Sequence, residues 1–86
     1  METNREHMRL EMESLSRNEE FARVVTAVFM SRLDPTLEEV NDIKTAVSEA
    51  VTNAIVHAYP DTLGKIVLKL RIREGHTLEI VVRDWG

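Results

Sequence analysis

Residues 48–72 read SEAVTNAIVHAYPDTLGKIVLKLRI, and the fold turns on a change of rhythm inside them. Up to Ala58 the apolar residues recur at helical spacing, and after Gly64 they alternate. Between the two, YPDTLG stops the helix, because proline cannot continue one and aspartate and glycine favour turns. Downstream, Ile66, Leu68, Leu70 and Ile72 alternate with Val67, Lys69, Arg71 and Arg73, the period of a strand with one buried face. REGH, residues 73–76, reads as a hairpin turn around Glu74 and Gly75. A second strand follows, with Leu78, Ile80 and Val82 on one side and Glu79, Val81 and Arg83 on the other.

Working upstream, Val40, Ile43, Val47, Val51, Ala54 and Ile55 form the apolar stripe of a helix that runs to about Ala58. Two residues compete to cap its start. Pro35 suits the first turn if Asp34 caps, whereas Thr36 with Glu39 has capping-box spacing. An earlier helix spans residues 17–32, opened by Ser16 and Glu19 at the same spacing. Its expected core stripe is Phe21, Val24, Val25, Val28 and Phe29. Before it, HMRLEMES alternates, with Met8, Leu10 and Met12 opposite Arg9, Glu11 and Glu13. The predicted order is strand, helix, helix, strand, strand. This is an α+β fold, a two-layer sandwich with helices packed on one face of a largely antiparallel sheet.

The chain has 86 residues, 43% of them hydrophobic and 30% charged, which bounds it to one domain of ordinary soluble composition. So short a chain buries only about 60% of the surface its unfolded form exposes, and its core is thin. The net charge of −4 argues against a general nucleic-acid binder, which shows a basic face. With no cysteine, disulfides and thiolate metal sites are excluded. METNREH lacks the apolar core of a signal peptide, and no run approaches the roughly 20 apolar residues that span a bilayer. A cytoplasmic protein with no membrane partner is the expectation.

Glu49, Asn53 and His57 stand one above another at four-residue spacing near the end of the second helix. At about 100° per residue, Glu49 and Asn53 lie about 120–160° from the centre of the buried stripe. An exposed acid and amide on a solvated face is the ordinary reading. Yet the sector between Asn53 and the stripe holds Ala46, Ala50, Ala54 and His57, which leaves room for a ligand against the helix. An asparagine oxygen is a hard ligand suited to Mg²⁺, which takes few protein ligands plus phosphate oxygens and water. A carboxylate one turn earlier can accept a proton from an incoming hydroxyl.

Asp84 poses a second question, because it is in phase with Leu78, Ile80 and Val82 and so points toward the buried face. An unpaired charge there is costly. Either the strand ends by Val82, or the carboxylate awaits a hydrogen-bonding partner such as the exocyclic amine of a base. Gly86 permits a tight turn or a close approach. His7, His57 and His76 lie on different elements without ligand spacing, which argues against zinc.

Together, EAVTNAIVH on a helix and VVRDWG at a strand end resemble the N box and the start of the first glycine box of the GHKL ATP-binding fold. The flanking text, from Phe21 to Ile66, is similar to the anti-sigma serine kinases of sporulating bacteria, and the likeness covers nearly the whole chain. The resemblance implies that ATP and Mg²⁺ are the cofactors. It implies that Glu49 is the general base, that Asn53 coordinates Mg²⁺, and that Asp84 reads the adenine amino group. Gly86 corresponds to the first glycine of the box, and His57 and Ala58 fall at the edge of the nucleotide pocket. Arg23, on the first helix, falls in the region that binds partners. The partners implied are a sigma factor held inactive and an anti-anti-sigma protein phosphorylated on serine, with the kinase a homodimer. A histidine-kinase ATPase domain shares the boxes, but no helix bearing a phospho-accepting histidine precedes residue 16. A non-catalytic sigma-binding module is the other alternative. The family pattern continues with a second glycine, an ATP lid and another glycine box. Residues 1–86 are therefore expected to be the leading part of a single such domain that binds ATP poorly.

Overall fold

A computed structural model describes residues 6–74 and 77–86. In chain order the elements are β1 (His7–Glu13), α1 (Arg17–Met30), a 3₁₀ turn (Ser31–Leu33), α2 (Leu37–Asn53), a π turn (Ala54–Ala58), β2 (Lys65–Arg73) and β3 (Thr77–Asp84). The sheet order is β1-β2-β3, antiparallel throughout. The predicted order of elements and the α+β architecture are therefore what the chain adopts.

The core lies between the central strand and the helices. Ile66, Leu68, Leu70 and Ile72 of β2 are all buried, against Val47 and Val51 of α2, Ala54 of the π turn, and Ala22 and Phe29 of α1. Being central, β2 is covered on both edges by partner strands and on one face by helices. Leu10 pairs with Leu68, and Leu68 with Val82, which keeps all three strands in phase.

Two expectations about α1 fail, both for tertiary reasons. Ser16 does not cap: it has helical φ/ψ of −55° and −37° and no side-chain capping bond. The Glu19 carboxylate is taken instead by Ser48 Oγ of α2 and by Arg23, whose Nε stands 3.4 Å away. Asn18 Nδ2 donates to the Glu13 carbonyl at 2.8 Å and ties the first turn back to β1. The core stripe is also displaced. Ala22, Thr26, Phe29 and Met30 are buried, while Phe21 and Val24 are half exposed and Val28 is 66% exposed. Small residues let α1 approach α2 closely, and Thr26 satisfies its hydroxyl internally by donating to the Ala22 carbonyl at 2.8 Å. Phe21, Val24 and Val28 are left outside, while Phe29 and Met30 fill the core at the helix end.

The cap of α2 is settled in favour of Thr36. Its Oγ1 accepts from the Glu39 N–H at 3.0 Å, and the Glu39 carboxylate accepts from the Thr36 N–H at 2.9 Å. Asp34, at φ 54°, closes the preceding 3₁₀ turn in the left-handed region instead. The helical path continues to Ala58 as expected, although its last turn is π rather than α. Glu74 has φ 56°, as a tight hairpin requires, and the rest of that expected turn, Gly75 and His76, lies outside the described residues.

Candidate functional site

The C-terminal end of α2, the π turn and the end of β3 enclose an open cavity of about 580 Å³. Its walls are Ala50, Asn53, Ala54, His57, Ala58, Val82, Asp84 and Gly86. Asn53, His57, Ala58, Asp84 and Gly86 were each singled out from sequence, and the fold brings all five to one place. Helical pitch alone sets the first part of this wall, since Ala50 with Ala54 and Asn53 with His57 are four apart. The second part comes from a different element, delivered by antiparallel pairing that sets Asp84 opposite Ile66.

At Asp84 the first expectation fails and the carboxylate lies in a different setting from a buried face. The strand does not stop at Val82, and the carboxylate is not buried: it is exposed and faces the open cavity. The helices do not cover the sheet at this corner, so no desolvation cost arises. Oδ1 accepts a long hydrogen bond of 3.3 Å from the Gly86 N–H, which leaves most of the carboxylate's acceptor capacity unused. A side chain at Gly86 would overlap the Ala58 carbonyl oxygen and Cβ, so glycine is required here for close approach to the π turn.

Two staples outside the predicted set hold this corner. Tyr59 Oη donates to the Lys65 carbonyl at 2.8 Å and accepts from the Trp85 N–H at 2.8 Å, tying the start of β2 to the end of β3. Ser14 Oγ accepts from the Gly64 N–H at 2.9 Å and fixes the loop between the π turn and β2. Trp85 turns away from the cavity, with Lys65 Nζ 4.5 Å and the Arg83 guanidinium 5.3 Å from its ring centre. Sequence offered only a faint signal for these contacts: a tyrosine beside the helix-stopping proline and a glycine before the strand.

Glu49 is not in the cavity. It lines a neighbouring cleft of about 450 Å³ between α1 and α2, with Arg23, Asn41, Lys44, Thr45 and Ser48. The residue assigned as base by resemblance therefore stands beside the one assigned to partner binding, one turn of α2 from the cavity. The network of Ser48, Glu19 and Arg23 braces this cleft, and Arg23 Nε is buried there without a hydrogen-bond partner. Sequence reasoning missed Ser48 and Glu19 because their contact joins two helices.

The donor set around the cavity is one amide, one imidazole and one carboxylate, against a wall of three alanines and Val82. It suits a flat base carrying an amine, and Asn53 offers a hard oxygen to Mg²⁺. Among the described residues no lysine or arginine lines the cavity. Among the described residues no three His, Asp or Glu side chains cluster as metal ligands, and no helix is long and apolar enough to cross a membrane.

The model of the histidine kinase-like ATPase domain family matches residues 12–86 of this chain. Among curated relatives, a protein named anti-sigma F factor from Anoxybacillus flavithermus is 51% identical over 82 residues, covering 95% of this chain and 56% of the relative. The anti-sigma F factor of Bacillus subtilis is 49% identical over 80 residues, 92% of this chain and 54% of the relative. That of Clostridium kluyveri is 51% identical over 79 residues, 92% and 55%. The chain thus spans about half the length of the curated relatives it matches. These matches bear out the resemblance read from the two boxes.

Proposed function

The chain belongs to the histidine kinase-like ATPase domain family, and on that premise we propose that it is part of a cytoplasmic anti-sigma factor that is also an Mg-ATP-dependent serine protein kinase. Its partners in this reading are a sporulation sigma factor, which it binds and inhibits, and an anti-anti-sigma protein, which it phosphorylates on serine. It works as a homodimer. Residues 1–86 form part of one ATP-binding domain.

The observation that carries the reading is the meeting of Asn53, His57, Ala58, Asp84 and Gly86 around one cavity. Asp84 would accept a hydrogen bond from the exocyclic amine of a bound base, and Ala50, Ala54 and Ala58 supply an apolar surface for its ring. Asn53 Oδ1 would hold Mg²⁺, and His57 flanks the same edge of the cavity. Mg-ATP, when bound, supplies the transferable phosphoryl group and the metal charge that neutralises it. Glu49 would take the proton from the acceptor serine hydroxyl onto a carboxylate oxygen, leaving the serine oxygen as the nucleophile. Its place beside Arg23 supports entry of the protein acceptor from the α1–α2 side, with Arg23 holding the partner.

The deciding experiment supplies the kinase with labelled ATP and a serine-bearing anti-anti-sigma protein. Acid-stable label on serine is expected, and Glu49→Gln is expected to lower transfer by about 10²–10⁴-fold with nucleotide affinity unchanged. Normal transfer by Glu49→Gln refutes the role given to Glu49. A second reading, a sigma-binding module without catalysis, is favoured by the lack of a cation among the described residues of the cavity wall. It predicts sigma binding with no label transferred. For the same electrostatic reason, the 86-residue chain is expected to bind Mg-ATP more weakly than micromolar by calorimetry.

A further inference from the structure

The outward face of the sheet is charged oppositely to the helix layer. Strand alternation places Arg9, Lys65, Lys69, Arg71, Arg73 and Arg83 on this face, against the carboxylates Glu11, Glu13 and Glu79. Helices α1 and α2 carry six acidic residues and three basic ones, within a chain of net charge −4.

Pairing on the face is uneven. Arg9 pairs with Glu11 at 3.6 Å, and Glu79 takes both Arg71 at 2.6 Å and Arg73 at 3.6 Å. Among the described residues, Lys65, Lys69 and Arg83 have no carboxylate partner within 4 Å. Lys69 stands on the central strand directly opposite Arg9, and like charges facing across a ladder are destabilising. Register places Val81 beside Lys69, and Val67 beside Arg83. With Trp85 stacked against Lys65 and Arg83, the cations Lys65, Arg83 and Lys69 lie beside two exposed apolar residues, Val81 and Trp85, along β2 and β3.

We propose that this sheet face docks an extended acidic segment of a partner protein. Lys65 and Lys69 lie four residues apart, about 13 Å along the strand, and an extended segment repeats its side chains every two residues, about 6.7 Å. Acids at alternate positions thus meet Lys65, Arg83 and Lys69 in turn, while the segment's backbone crosses Val81, which is exposed; Val67, beneath Arg83, is buried and offers it no surface. The charge of the whole chain chooses between anionic partners. A duplex or a membrane meets the acidic helix layer's field as well, whereas a short segment on the sheet is screened from it beyond about 8 Å at physiological salt.

The test titrates the 86-residue chain with a short blocked peptide of alternating glutamate and alanine and follows backbone amide shifts by NMR. Shifts confined to β2 and β3 are expected, with affinity falling as salt rises. The double reversal Lys69→Glu with Arg83→Glu is expected to weaken binding by about tenfold or more and to bind the alternating lysine peptide instead. If that variant does not fold, Lys69→Gln with Arg83→Gln weakens binding in the same direction. Absence of shifts at low salt, shifts confined to α1 and α2, or tighter binding of a DNA duplex or of phosphatidylserine vesicles would each overturn the proposal.

Discussion

Gly64 and Tyr59 show how a single missing side chain shapes the neighbourhood of the cavity. The Tyr59 ring lies where a Cβ on Gly64 would be, and from that position its hydroxyl reaches both Lys65 and Trp85. Gly64→Ala is expected to displace the ring and cost about 1–3 kcal/mol, as overpacking does, measured by urea unfolding. The same substitution is expected to shift the NMR signals of Trp85 and Asp84, because the Tyr59 bridge holds the end of β3. Unchanged stability would mean that the ring has another place to go. Asn53 and Asp84 behave otherwise, since both are exposed and unburdened by packing. Their types were legible in sequence: an amide out of phase with a buried stripe, and an acid in phase with one. That Asp84 could stay solvated was not legible, because it depends on where the helix layer ends.

At the scale of elements, the two helix starts carry the same spacing motif and differ in outcome. Thr36 and Glu39 form both bonds of a capping box, whereas Ser16 forms none. Thr36→Ala is therefore expected to destabilise the fold by about 1 kcal/mol, within the range for lost caps. Ser16→Ala is expected to change stability by no more than about 0.5 kcal/mol, since it removes no interaction. Chemical denaturation of the two variants side by side checks the pair, and equal losses would contradict the assignment. Local sequence favoured both caps equally. A tertiary competitor, Ser48, draws Glu19 away from the first. The face of α1 was misjudged for a related reason. Both faces of that helix are apolar, and periodicity alone does not say that Ala22 and Thr26 pack inward while Phe21, Val24 and Val28 remain outside.

For the molecule as a whole, the core is one layer deep and centred on β2. Leu68 is fully buried at its middle, paired with Leu10 and Val82. Leu68→Ala is expected to cost about 2–5 kcal/mol. In a chain of this size that approaches the whole stability, for which about 0.05–0.15 kcal/mol per residue is usual. Loss of dispersed amide signals in its NMR spectrum at ambient temperature is the expected result, and a cooperative transition near that of the parent chain would contradict it. The cavity and the α1–α2 cleft are both lined by α2, so that this one helix separates them.

The amino-acid sequence by itself determined the kind and order of the elements and the polar row Glu49, Asn53 and His57 along α2 and its last turn. Those features follow from pitch and pleat, which are local. Only the tertiary structure decided that Asp84 and Gly86 close the same cavity as Asn53, that Glu49 faces the neighbouring cleft beside Arg23, and which face of α1 is buried. Each of these depends on how closely two elements distant in sequence approach. That distance is set by the side chains of both partners together, and neither segment read alone contains it.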